Sequence, residues 1–179
     1  MRAVPINRRA ALAGIAGLSG VAAAARALSA AGSSGQAPGL SHDAAIIRQQ
    51  VDFGIPAARI YGVLTDAAAF DAMTTHETDM KVLDKPSVLT PRVGDEFSLF
   101  GGYITGRNIE LLPERRIVQA WRTESWPAGC YSIVAMDFSP TQQGTRLVFE
   151  HRGFPDSQGE HLAKGWYLHY WEPLRAHLS

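Results

Sequence analysis

The stretch Gly165-Trp-Tyr-Leu-His-Tyr-Trp-Glu-Pro-Leu-Arg-Ala-His-Leu178 decides how this chain folds. Placed on a helix from about Glu160, its side chains sort into two faces. Leu162, Ala163, Trp166, Tyr167, Tyr170, Trp171, Leu174 and Leu178 share one half-turn of arc, and Lys164, Glu172 and Arg175 lie opposite. That is the pattern of a helix resting on an apolar surface. Burying five of the large residues contributes roughly 8 to 15 kcal/mol as an upper bound. Pro173 lacks an N–H and crowds the carbonyl of His169, so a kink is expected there. No other segment offers as much aromatic surface, and the helix is read as the lid on whatever the preceding strands build.

Those strands are announced by a change of period. From Ala44 to Phe53 a partly alternating run ends at Gly54-Ile55-Pro56. Pro56 then suits the first turn of a helix over Ala57–Leu64, with Ile60, Val63 and Leu64 on one face. A second short helix, Ala67–Met73, carries Phe70 and Met73. The polar string from Thr74 to Asp79 reads as a loop. Candidate strands follow at Asp79–Leu83, Asp95–Phe100, Tyr103–Leu111, Ile117–Thr123, Tyr131–Phe138 and Thr145–Arg152. The breaks between them have turn chemistry, including Gly101-Gly102, Trp126-Pro-Ala-Gly129 and Pro140-Thr-Gln-Gln-Gly144. Short turns between sequential strands make an antiparallel meander. The expected class is α+β: a curved antiparallel sheet of about six or seven strands wrapped on a long C-terminal helix, with two short helices after the first strand.

The N-terminal residues 1–38 read as a leader and linker rather than fold. Arg8 and Arg9 precede a weakly apolar Ala/Gly run, and small residues follow from Ala27 to Ala37. A basic start, an apolar middle and a small-residue exit make an export signal, and the paired arginines point to the twin-arginine route. The expected location is periplasmic or secreted, with no membrane span once the leader is removed. The whole chain is 46% hydrophobic and 19% charged, a globular composition. Four of the 17 basic residues lie in the first 26, where there is no acid, which leaves 13 against 17 acidic residues. A mildly acidic domain has no electrostatic reason to seek nucleic acid. Cys130 is the single cysteine, so an internal disulfide is excluded.

The strings Phe97-Ser-Leu-Phe-Gly-Gly-Tyr-Ile-Thr-Gly-Arg-Asn-Ile-Glu-Leu111, Arg116-Ile-Val-Gln-Ala-Trp-Arg122, Gly144-Thr-Arg-Leu147 and Trp171-Glu-Pro-Leu174 resemble the START-like (SRPBCC) helix-grip superfamily. More closely they are similar to its AHSA-type branch, named for the activator of the 90-kDa heat-shock protein ATPase. The resemblance runs from about Ile46 to Leu178, within a domain spanning 44–179. It implies a hydrophobic cavity between sheet and grip helix. It does not fix an activity, because such folds bind lipids, aromatic ligands or protein partners, and a few are enzymes.

Alternation divides the strands into faces. Leu147, Phe149 and His151 share one face of their strand, which places His151 at the end of an inward row, near the expected cavity mouth. There it can meet a ligand's polar head or be satisfied by a neighbouring side chain. On Tyr103–Leu111, the set Tyr103, Thr105, Arg107, Ile109 and Leu111 shares a face. If that face is inward, Arg107 needs an anionic partner from protein or ligand. Phe70, Met73, Trp121, Tyr131, Trp166 and Tyr170 are the candidates for an apolar wall, or for plain core, and Tyr103 and Phe149 join them, with Arg107 and His151, as candidate ligand-binding residues. No metal is expected, since His161 and His169 are eight apart and lack a third ligand. No cofactor loop or nucleophile elbow is present.

Three functions follow. The leading one is a non-catalytic carrier of a small hydrophobic or amphipathic ligand. The second is a protein-binding module of the co-chaperone type. The third is an enzyme on an aromatic or polyketide-like compound, with His151 as base and Arg107 steadying an enolate.

Overall fold

The computed structural model describes residues 46–75 and 85–179. The leader and the candidate strand Asp79–Leu83 lie outside the described residues.

The chain runs β1 (Ile47–Phe53), α1 (Ala57–Thr65), α2 (Ala67–Thr74), β2 (Glu96–Leu99), a 3-10 turn (Phe100–Gly102), β3 (Ile104–Leu112), β4 (Arg116–Thr123), β5 (Ser132–Thr141) and β6 (Gly144–Arg152). It ends in α3 (Gly159–Trp166), a π turn (Tyr167–Trp171) and α4 (Glu172–Leu178). The six described strands form one antiparallel sheet in the order β1-β6-β5-β4-β3-β2. From β2 to β6 this is the expected meander. β1 crosses to the far edge and pairs with β6, Ile47 opposite His151 and Phe53 opposite Thr145. Pro56 caps α1, and the Asp66 side chain caps α2 by accepting from the Ala69 N–H at 2.9 Å, so one residue ends the first helix and starts the second.

The inner face of the sheet carries Val51, Phe53, Ile104, Ile117, Trp121, Val134, Met136, Phe138, Leu147 and Phe149, all buried. Phe70 and Met73 of α2 close one side, and Trp166, Tyr170, Trp171, Leu174 and Leu178 descend from the terminal helix.

Three expectations change. First, the strand break at Pro140 is shorter than expected: β5 runs to Thr141, β6 resumes at Gly144, and the turn is Gln142-Gln143. Pro140 is tolerated because β4 stops pairing at Asp137, so its missing N–H faces no partner strand. Secondly, a bulge between Asn108 and Glu110 reverses the phase of β3. Ile104, Gly106 and Asn108 face inward before it and Leu111 after it, while Arg107 and Ile109 face out. The alternating set Tyr103 to Leu111 is therefore not one face. Thirdly, the terminal helix changes register before Pro173 where a kink was expected, and Tyr167 is 45% exposed, not part of the buried face.

Gly106 on β3 has no room for a side chain. A Cβ there would lie 2.1 Å from the Ala120 carbonyl oxygen and 2.3 Å from Phe97 Cζ. Gly62, inside α1, has nothing within 4 Å of the same position. Gly106→Ala is expected to lower stability by about 2–3 kcal/mol. Gly62→Ala is expected to raise it by about 0.5–1 kcal/mol. Urea midpoints of the two single variants check both signs.

Candidate functional site

The space directly under the terminal helix is filled. Phe149, His151 and Trp171 are 0% exposed and Phe70 1%, in a lattice of ring contacts. Trp166 sits at its centre, 4.4 Å from the Phe149 ring, 4.2 Å from Tyr170 and 5.5 Å from Trp121. This corrects the expected position of His151: it faces inward, but into this core and not at a cavity mouth. The Trp166 indole N–H donates to His151 Nδ1 at 3.0 Å. An indole can only donate, so the imidazole proton is assigned to Nε2, which donates to Ser132 Oγ at 2.6 Å. Ser132 in turn donates to the Trp121 carbonyl oxygen at 2.9 Å. Both ring nitrogens are satisfied by protein, and burial holds the imidazole neutral, its pKa lowered to about 3.

What remains open lies to one side, as a groove of about 340 Å³ between β3–β4 and the first half of the terminal helix. Its walls are Tyr103, Ile104, Trp121, Leu162, Trp166 and Tyr170, and its rim carries Thr123, His161, Lys164, Gly165, Leu168 and His169. Two larger depressions, about 560 and 790 Å³, lie on the outer sheet face and beside the β5–β6 hairpin, with at most two aromatic residues each. In the first groove, two wall residues hold polar atoms with no hydrogen-bond partner: Trp121 Nε1 and Tyr170 Oη, both buried. Burial pushes the Tyr170 phenol above its ordinary pKa. The nearby Trp121 indole offsets this in part, although the pair falls short of full hydrogen-bond geometry.

Of the expected wall residues, Tyr103, Trp121, Trp166 and Tyr170 meet at this groove. Phe70, Met73 and Phe149 are core. Tyr131 is 46% exposed, under the Arg122 guanidinium rather than in a wall. Arg107 is also outside the groove: it lies on the outer face and pairs with Glu96 and the Gly94 carbonyl. The rim residues His161, Lys164 and Gly165 were not among the expected site residues. A glycine inside a helix beside Trp166 was the available signal, since mid-helix glycine is unfavourable without a local use.

The sequence profile described as "Activator of Hsp90 ATPase homolog 1-like protein" matches residues 55–179. The chain belongs to this family. It is 30% identical over 106 residues to the human activator of 90 kDa heat shock protein ATPase homolog 1, covering 59% of this chain and 31% of that protein. It is 38% identical over 74 residues to the Dictyostelium discoideum homolog, covering 41% and 19%. The chain thus spans about a third or less of the length of these curated relatives. Among solved structures, an HSP90 activator from Plasmodium falciparum superposes with a TM-score of 0.65 at 22% identity, covering 75% of this chain and 96% of that one. CalU16 from Micromonospora echinospora gives 0.56 at 25%, covering 75% and 74%. These likenesses carry the helix-grip fold.

Family membership leaves the chemistry to the site, and two groups once paired for catalysis are separated by it. His151 lies buried on the inner face and Arg107 exposed on the outer, so no single substrate can reach both. Among the described residues no three His, Cys, Asp or Glu side chains cluster as metal ligands, and no helix is long and apolar enough to cross a membrane.

The neutral His151 links stability to pH. Below its ordinary value of 6.5 the unfolded imidazole binds a proton, while the folded one stays neutral to about 3. Stability is therefore full above about pH 6.5 and falls as pH drops through that window, by about 2–3 kcal/mol at pH 4.5. His151→Gln should be less stable at pH 7 yet show a flatter slope between pH 6.5 and 4.5. Equal slopes in urea titrations of the two proteins would overturn this account.

Proposed function

We propose that this domain is an exported, non-catalytic binding module that holds one small amphipathic molecule in the groove beside the terminal helix. The observation that carries the reading is the groove itself: aromatic walls over about 340 Å³, with Thr123, His161, Lys164 and His169 as the polar groups of its lining. An apolar cleft with a few polar groups that can orient a ligand is the usual build of a small-molecule site, and this volume sits at the lower end of that range.

A second reading is contact with a protein partner. Membership of a family whose relatives are named as activators of a heat-shock ATPase favours it. The proposed export argues against the same partner, since ATP is expected inside the cell.

Two experiments separate these readings. Gly165 lines the groove, and a Cβ there meets only His169 Cδ2, at 3.8 Å. Gly165→Met should keep or raise the melting temperature, because methionine is the better helix former, while filling the groove. Decanol should change the tryptophan fluorescence of the wild type saturably and leave that of Gly165→Met unchanged. No response from the wild type, or equal responses from both, would defeat the carrier reading. For export, the full chain should fractionate with the periplasm or medium in its host, and Arg8→Lys with Arg9→Lys should retain it in the cytoplasm. Envelope association of a chain lacking residues 1–38 would refute the leader.

A further inference from the structure

We infer that the occupant of the groove is a free amphiphile with a single negative charge, an apolar body carrying a carboxylate-type head. This rests on the binding role proposed for the groove and adds the charge class of its ligand.

The groove lining holds one fixed cation, Lys164, and no acid. His161, Lys164 and His169 lie along the groove side of the terminal helix, and no acidic residue lines the groove. His161 and Lys164 are exposed, and Lys164 has no ion pair among the described residues. This contrasts with the outer face of the same sheet. There Arg48 meets Glu150, Arg146 meets Asp52, and Arg116 meets both Glu110 and Asp137. The contrast is not a product of overall charge, because beyond residue 26 acids outnumber bases by 17 to 13. A lysine with no acid in the groove lining around it, on an acidic domain, is a local arrangement. Its physical consequence is a field favouring an anion at the groove opening, while the walls below accept only apolar surface.

Lys164 suits the head of such a molecule. Its ammonium stands at the solvent edge on a flexible stem, one residue from the Gly165 backbone, where no side chain intervenes. The body would lie against Ile104, Trp121 and Trp166. A bilayer is a poorer fit, since the feature is a concave slot and the domain as a whole repels an anionic surface.

The test compares three probes of equal chain length on the full-length protein: decanoate, decanol and decylammonium, each below its micelle concentration, followed by tryptophan fluorescence. Decanoate should bind about fivefold more tightly than decanol, and decylammonium more weakly than either. Lys164→Gln should bring decanoate within about twofold of decanol. Lys164→Glu should place decanoate below it. Equal wild-type affinity for decanoate and decanol would overturn the anion assignment and leave the groove intact as a binding site. Failure of all three probes would remove the groove reading itself. Co-sedimentation with phosphatidylglycerol vesicles, without binding of monomeric decanoate, would replace the free ligand by a membrane surface.

Discussion

The hydrogen bond from the Trp166 indole to His151 holds the terminal helix to the sheet in one register. It joins the middle of the helix to β6, and it continues through Ser132 on β5 to the Trp121 carbonyl on β4. Three adjacent strands and the helix are thus tied by one chain of donors and acceptors inside an otherwise apolar core. Such a chain has a single satisfied arrangement. Sliding the helix by a turn would leave an imidazole and an indole buried without partners, at about 1–3 kcal/mol each. The apolar contacts around it are less selective, because aromatic rings pack acceptably in many offsets. Hydrophobic burial supplies most of the attraction, and the polar chain selects the position.

The π turn follows from that selection. In a regular α-helix, residues five apart are offset by about 140°, so Trp166 and Trp171 would lie toward opposite margins of the apolar face. Over Tyr167–Trp171 the ladder widens, and the Glu172 N–H reaches the Tyr167 carbonyl, five residues back. Trp171 then returns above Trp166, with their rings 5.7 Å apart and 22° from parallel. It also donates its own indole N–H to Gln49 on β1. Pro173 falls in the first turn of α4, where a missing N–H costs little. The proline and the wide turn are one device, and Tyr167 is displaced outward as its consequence.

Much of this was legible in the sequence, and the failures have common causes. The helices α1 and α2, the strand breaks other than the one at Pro140, the inward row Leu147, Phe149 and His151, and the class of fold all come from short-range patterns that the structure keeps. Arg107 was misplaced because a period of two admits two solutions one residue apart. The bulge at Asn108–Glu110 lets each half of β3 obey a different one, so Leu111 drew its whole strand into the wrong phase. Tyr131 was misplaced for a related reason: it precedes β5 and does not share the pairing that orients Ser132 onward. The pairing of β1 with β6 carries no local mark, since it joins residues about a hundred positions apart. The groove was half visible. Its aromatic walls stand out in the chain, whereas Lys164 looked like a solvated face until the strands beneath it were in place.

A filled interior changes what a helix-grip domain can do. A ligand held centrally would have to displace Phe149, Trp171 and the His151 chain, all fully buried, and so would compete with folding itself. At the groove this competition is absent. The wall residues Trp166 and Tyr170 are anchored from behind by Phe149, Trp171 and Phe70, so their exposed edges are fixed before anything binds. Rigid aromatic surface lowers the ordering cost of association. The groove also opens along the terminal helix from His161 into the π turn, where Gly165 leaves backbone uncovered. The core therefore leaves no central room for a ligand; it holds rigid the aromatic surface that lines the groove.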